Sequence, residues 1–315
     1  MITIFGDLHI NTHYTNRTDN VIETFKEKLL KIKDIAEQTN SKYIVCLGDF
    51  FDKPVMYSQT GYELFNWLID YFKDLRKKFK IYFVLGNHDI YMTNTNLNYT
   101  MIGSLVKLNL IEIVDTIKLP EFEYPVRFLH YHKFITKKEF NEKIQTVKDS
   151  IVFSHYSIIP PDFIINEIGM TVDDAIKCNN KIWFNGHIHK ETVTDTFINT
   201  GSSFRVSRED YFMYQVPSVY VLDTNYKYKS YPLTNKKYDE VFKTKITKSF
   251  NDINYDDVFK AISKIRISGI NNEIITEISK KVGMCEEDLF KFQYIFNEYK
   301  KGGDFNGLVD QTNND

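Results

Sequence analysis

The chain has 315 residues, 43% of them hydrophobic and 15% aromatic, enough apolar surface to exclude disorder as its general state and to support one large domain or two medium ones. A formal net charge of -2 selects no partner, because an acidic catalytic surface can sit beside a local basic one. The three cysteines, Cys46, Cys178 and Cys285, are odd in number and far apart, which excludes a disulfide framework; Cys46 reads as a reduced core residue.

The first element expected is a strand, "ITIF", from Ile2, and it ends in "GDLHI". With a strand so near the first residue no leader is expected, and no run reaches the length of a membrane span. A reducing cytoplasm is the expected compartment, that of a host cell if the chain is viral. Next comes an amphipathic helix over about Val21 to Glu37, with Val21, Phe25, Leu29, Ile32 and Ile35 at helical spacing. The apolar run "YIVCLGD", a second helix over about Tyr62 to Lys78 and the run "IYFVLGNHD" follow. Apolar strands flanked by helices suit a sheet covered on both faces. Later strands are expected in "VRFLHY", "SIVFSH", "KIWFNGHIH", "TFINTGS" and "YQVPSVYVLD". The second half is richer in strands, with shorter connections.

Functional residues in such arrangements gather beyond the carboxyl ends of strands. Here the polar residues recur there: Asp7 and His9; Asp49; Asn87, His88 and Asp89; His155; His187 and His189. Five of the eight histidines fall in these turns. A lone "GD" can be no more than a turn or a helix cap, and His155 alone can be a hydrogen-bonded core histidine. Scattered histidines do not readily account for the whole series. His187 and His189 lie two apart, on one side of an extended segment, as two ligands need. No cysteine lies in these turns, so a thiolate zinc site is not indicated. Imidazole, carboxylate and carboxamide donors suit manganese, iron or zinc. Seven such groups are too many for one ordinary centre and suit two ions sharing a carboxylate. Asp49 is the expected shared ligand, because its strand should lie between those ending at Asp7 and Asn87.

The series GDLH, GDFFD, GNHD, SH and GHIH resembles the calcineurin-like metallophosphoesterase superfamily over about residues 1 to 205. The resemblance implies a two-sheet α/β sandwich with a small C-terminal α or α+β appendage. It places Asp7, His9, Asp49 and His189 on a first ion and Asp49, Asn87, His155 and His187 on a second, both manganese. It also makes His88 the non-ligand histidine that assists phosphoryl transfer, with Asp89 as its orienting partner. Within the superfamily the chain is most similar to the SbcD-type nuclease branch, including its short phage relatives. That branch implies a metal-dependent DNA nuclease, with exonuclease action on duplex ends and endonuclease action, in DNA recombination, repair or replication. Its implied partners are DNA, an SbcC-like coiled-coil ATPase and a second copy of the chain, through the helix near Tyr62 to Tyr71. Cellular members commonly carry a histidine where this chain has Asp52, which either orients a ligand or caps the next segment. Other readings remain open: a phosphomonoesterase, a small-molecule phosphodiesterase, or a non-catalytic scaffold that binds DNA ends.

The domains expected are a nuclease domain over 1–223, a basic aromatic linker or DNA-facing cap over 224–255, a helical partner-docking region over 256–300 and a mobile tail over 301–315. Residues 225 to 250 hold seven lysines against two acids, interleaved with Tyr226, Tyr228, Tyr231 and Tyr238. Such a mixture suits phosphate and base contacts, or simply a solvated face. Helical stripes follow, one through Ile274, Ile278 and Val282 and another through Leu289, Phe292, Phe296 and Tyr299. They either close a small domain or dock on the ATPase.

Overall fold

The structure, a computed structural model, describes residues 1–14, 17–91, 97–132, 137–144, 147–160, 169–206, 215–236 and 241–242. The expected docking region, the tail, Cys285 and most of the expected cap lie outside the described residues.

Strand β1 (Ile2–Phe5) leads to α1 (Val21–Gln38), β2 (Tyr43–Cys46), α2 (Gln59–Leu75), β3 (Lys80–Phe83) and α3 (Met101–Lys107). Then come β4 (Thr116–Ile117), β5 (Val126–Leu129), α4 (Lys137–Ile144), β6 (Ile151–Ser154), β7 (Ile158–Ile159), β8 (Met170–Thr171) and α5 (Val172–Ile176). The last described elements are β9 (Ile182–Asn185), β10 (Thr192–Val193), β11 (Phe197–Asn199), β12 (Ser218–Leu222) and β13 (Tyr228–Pro232).

One sheet has the order β13-β12-β1-β2-β3 and another the order β10-β11-β9-β6-β5-β4. Strands β1, β2 and β3 run together, as do β5, β6, β9 and β11; the first sheet is antiparallel at its β12–β13 margin and the second at both margins. Strand β2 therefore lies between β1 and β3, the position that makes Asp49 central. The fold is the expected α/β sandwich of two mixed sheets.

Period-two alternation assigns the faces. Ile2, Ile4, Tyr43, Val45 and Tyr82 of the first sheet share one buried cluster with Val126, Phe128, Ile151, Phe153, Ile182 and Phe184 of the second. The rings of Tyr82 and Phe128, 5.6 Å apart, join the two sheets directly. The alternate residues Phe5, Ile44, Cys46, Ile81 and Phe83 face outward and pack under α1, α2 and α3. On the second sheet, Leu129, Val152, Trp183 and Phe197 pack with Phe140 and Ile144 of α4 and Val172 and Ala175 of α5.

Helix α1 follows from its sequence. The Asn20 side chain accepts from the Glu23 N–H at 3.3 Å, and Val21, Phe25, Leu29 and Ile32 form its buried stripe. Its C-terminus stops at Asn40, which takes the left-handed conformation with φ 51°. Helix α2 begins at Gln59, three residues earlier than periodicity suggests, because Ser58 caps it by accepting from Gly61 N–H at 3.0 Å. Its first turn buries only Gly61, so the hydrophobic pattern does not register the start.

The sheet continues past Asp223, where a basic aromatic linker or a DNA-facing cap is the expectation. Strand β13 pairs along all of β12, from Ser218 opposite Pro232 to Leu222 opposite Tyr228. The tyrosines in this hairpin go into packing: Tyr226 lies 5.6 Å from Tyr124 and Tyr228 lies 6.0 Å from Phe184, ring to ring. Lys227, Lys229 and Lys236 remain exposed. Among the described residues no helix is long and apolar enough to cross a membrane.

Candidate metal centre

Five strand ends deliver the polar residues to one place, and the backbone there is unusual. Asp7, His9, Asp49 and His187 are all non-glycine residues with positive φ, between 48° and 76°. Each such residue costs on the order of 1–3 kcal/mol and persists only where its surroundings fix it. The fixing contacts are present. Asp7 N–H donates to Gly48 O at 3.0 Å and His9 N–H to Asp49 O at 2.9 Å. The Asp7 carboxylate takes the His187 N–H at 3.0 Å, and the Asp49 carboxylate takes the His88 N–H at 2.9 Å. Close approach also needs glycine: a Cβ on Gly86 would lie 2.1 Å from Asp49 Oδ1.

The side chains form two groups that meet at one oxygen. In the first, His9 Nε2 and His189 Nε2 lie 3.0 Å apart, with Asp7 Oδ1 3.8 Å from His189. In the second, Asn87 Oδ1 lies 3.1 Å from His155 Nε2 and 3.0 Å from His187 Nδ1. Asp49 Oδ2 reaches both, at 3.6 Å from His9 Nε2 and 3.2 Å from His155 Nε2. All seven residues singled out as ligands by position in the sequence are thus brought together. Asp7, His9, Asp49 and His155 are buried, whereas Asn87, His187 and His189 are half-buried, so the centre opens on their side.

Several observations show that these donors fit cations. Asp7 Oδ2 is buried and has no hydrogen-bond partner among the described residues, and a carboxylate so placed calls for a positive charge. Burial and then Asp49 raise the Asp7 pKa, although nearby histidines pull it back. Burial opposes charge on His155, yet the adjacent Asp49 carboxylate carries its pKa up to about 9. His189 is pushed the other way, by burial and by His9. The carboxylates thus draw protons onto whichever imidazole is nearest, a demand that a divalent ion meets directly. His155 Nδ1 faces the Leu47 carbonyl at 2.7 Å; a carbonyl only accepts, so Nδ1 holds a hydrogen and Nε2 is the nitrogen left to give its lone pair to a cation in place of a proton. Nitrogen and oxygen donors without sulfur suit two divalent ions; Cys46 is buried on the helix-facing side of β2.

Two expectations need comment. Asp89 does not orient His88. It is fully buried and accepts from the backbone N–H groups of Asp49 at 2.9 Å, Gly86 at 2.9 Å and Phe51 at 3.4 Å. Its role is to tie the β2 and β3 turns together, and burial beside Asp49 pushes its pKa up to about 7. His88 is oriented instead by the Asp52 carbonyl, 2.7 Å from Nδ1. The Asp52 side chain settles on the ligand-orienting alternative: Oδ1 lies 3.7 Å from His9 Nδ1, and Oδ2 accepts from Asn11 at 2.8 Å.

Sequence reading missed the supports on the second sheet. Ser202 Oγ donates to Asp7 O at 2.7 Å and Ser203 N–H donates to Gly6 O at 3.0 Å, so the "GSS" turn clamps the β1 turn from nearly 200 residues away. Asn185, fully buried, donates to Asn199 Oδ1 at 3.0 Å and to Tyr156 O at 3.0 Å beneath the His187 turn. A polar residue inside an apolar strand was the one available signal.

The calcineurin-like phosphoesterase pattern matches residues 1–191, and the chain belongs to that family. It is a metal-dependent phosphoesterase with a two-ion site. No curated protein matches it. Among solved structures it is similar to an archaeal phosphodiesterase, with 14% identity, 73% of this chain and 98% of that one covered, and TM-score 0.37. It is also similar to a protein of Thermus thermophilus, TT1561, with 13% identity, 74% and 98% covered, and TM-score 0.42. A third is a dimetal phosphatase from Danio rerio, with 11% identity, 74% and 96% covered, and TM-score 0.40.

Proposed function

We propose that the chain is a manganese-dependent DNA nuclease, hydrolysing phosphodiester bonds as the nuclease subunit of an SbcC-like ATPase complex. The observation that carries the hydrolytic part is the Asp49 oxygen shared by the two donor groups. The nuclease part is supported by the motif series and by charge. Asp7 and Asp49 are the only carboxylates among the seven donors, so two divalent ions leave the centre net positive, as suits an anionic diester. Asn87 contributes a neutral donor to that balance.

What the ions supply when bound is activation of a water and neutralisation of charge on phosphate oxygens. The chain supplies orientation and a proton. With Nδ1–H of His88 held on the Asp52 carbonyl, Nε2 is the nitrogen that exchanges a proton with the leaving sugar oxygen. Asp52 and Tyr14 hold His9 in place, the Tyr14 hydroxyl donating to His9 O at 2.5 Å.

Two further parts of the proposal concern assembly. Homodimerisation uses the α2 face carrying Tyr62, which is exposed; Tyr71 is committed inward, donating to Leu29 O at 2.6 Å. ATPase docking is assigned to about 286–300, outside the described residues.

The test is His88→Asn. Both ions and DNA binding should persist, while cleavage of a short duplex falls by roughly 10² to 10⁴, the usual worth of positioned acid-base catalysis. A diester with a better leaving group should lose less. No loss on DNA, with loss on a phosphomonoester, would promote the phosphomonoesterase reading.

A further inference from the structure

A cavity of about 420 Å³ is lined in part by Tyr131, whose ring also lies near the second donor group. The Tyr131 ring lies 5.8 Å from His187 and 6.3 Å from His155, centroid to centroid. Its place is fixed by its own backbone, since Tyr131 N–H donates to Leu85 O at 2.7 Å, two residues before Asn87. A group resting on this ring is therefore one side chain away from the donors of the second group.

The rim of the cavity says what kind of group it accepts. Among the described residues, Asp115, Glu139 and Glu142 line it together with Lys143 and His130; His130 lies 3.8 Å from Asp115, and Lys138 lies 3.9 Å from Glu142. His132 is already joined to Glu139 at 2.9 Å. Three carboxylates among the described lining residues disfavour a second phosphate there. Carboxylates do accept hydrogen bonds from amino and ring N–H groups, and an aromatic wall stacks on a flat neutral ring. The volume falls within the roughly 300–1,000 Å³ common for small-molecule sites.

We propose that this cavity is a nucleobase subsite, which takes the base of the nucleoside esterified to the scissile phosphate and stacks it on Tyr131. The proposal rests on the phosphodiester reading above and adds a substrate feature that the family cradle does not specify. Tyr131 is then a specificity residue, acting on the nucleoside rather than on the reacting phosphorus.

The test compares two chromogenic diesters in the presence of Mn²⁺: the para-nitrophenyl ester of thymidine monophosphate, which carries a base, and methyl para-nitrophenyl phosphate, which has no ring besides the leaving group. The parent protein should prefer the thymidine ester in kcat/KM. In Tyr131→Leu, which keeps bulk against His187 but removes the aromatic face, that preference should fall about 10-fold or more, chiefly through KM. Tyr131→Phe should restore it. An equal loss on both esters in the leucine variant would overturn the subsite and make Tyr131 a support for the histidines. An unchanged preference, or none in the parent, would also overturn it. Hydrolysis of neither ester by the parent would reject the phosphodiesterase reading and the subsite with it. Preference for the thymidine ester without cleavage of DNA would retain the subsite and reject only the polymeric substrate.

Discussion

The strand interiors and the strand ends of this protein are built on opposite terms. Between the sheets, Ile4, Val45, Phe128, Phe153 and Phe184 are buried with their backbone groups in regular ladders. A few residues further along the same strands, Asp7, His9, Asp49 and His187 sit in left-handed conformations, and Asp7 Oδ2 is buried with no partner among the described residues. The interior tolerates the strain at the edge because β1, β2, β3, β6 and β9 cannot shift without breaking it. Stability and function therefore occupy neighbouring positions on the same strands, and substitutions should separate them.

The largest effect expected is on stability. Phe153→Ala, in the middle of β6, should lower unfolding free energy by roughly 3–5 kcal/mol, read as the midpoint of denaturant unfolding. Metal affinity per folded molecule should change little. A large affinity loss with unchanged stability would mean that the two regions are not separable.

Asp52→Asn reverses the pattern. It removes the carboxylate beside His9 Nδ1 while keeping the Asp52 carbonyl that meets His88. Loss of such an outer partner typically costs 10–100-fold in metal affinity or activity, and calorimetric titration with Mn²⁺ should show it. Stability without metal should fall only slightly, because, although burial opposes its charge, the His9 imidazole holds the Asp52 carboxyl below its ordinary pKa. Unchanged affinity would remove Asp52 from the support of His9.

The smallest effect lies in a third kind of place. Lys28 is buried on α1, its ammonium has no hydrogen-bond partner among the described residues, and Arg17 and Arg205 are near. Burial first, then Arg205 and Arg17, push its pKa well below the ordinary 10.5. Between the lowered folded-state value and 10.5 the unfolded chain binds more protons, so this group's penalty shrinks as pH rises. Lys28→Met should therefore raise stability at neutral pH by about 1 kcal/mol or more, with the gain fading toward pH 10.5. Equal destabilisation at all pH values would show that Lys28 is paired.

The same contrast explains what could be read without coordinates. The strands of the parallel centres announce themselves as apolar runs, and the donors follow each run at once, so both the sheet edge and its seven residues are visible in the chain. The order of β1, β2 and β3 follows from chain order, which made Asp49 the shared oxygen. Three kinds of feature were hidden. Short elements such as α3, α5 and β10 have too few residues for a period to emerge. Strand β13 was masked by Lys229 within it and the lysines around it, since an edge strand keeps one side in water. Supports that span the fold, Ser202 on Asp7 and the Asp52 carbonyl on His88, depend on contacts between distant segments and leave no local mark. Asp89 was misjudged for that reason: adjacency to His88 in sequence suggested a partner, whereas its carboxylate turns inward to three backbone amides.

The claim at the centre is that Asp49 serves two ions. Crystals soaked in Mn²⁺ and measured at the manganese edge decide it. Two anomalous peaks roughly 3.5–4 Å apart, one beside Asp7, His9 and His189, the other beside Asn87, His155 and His187, with Asp49 touching both, are the predicted result. A single well-occupied peak with Asn87 remote from it, or two peaks of which Asp49 touches only one, would contradict the account.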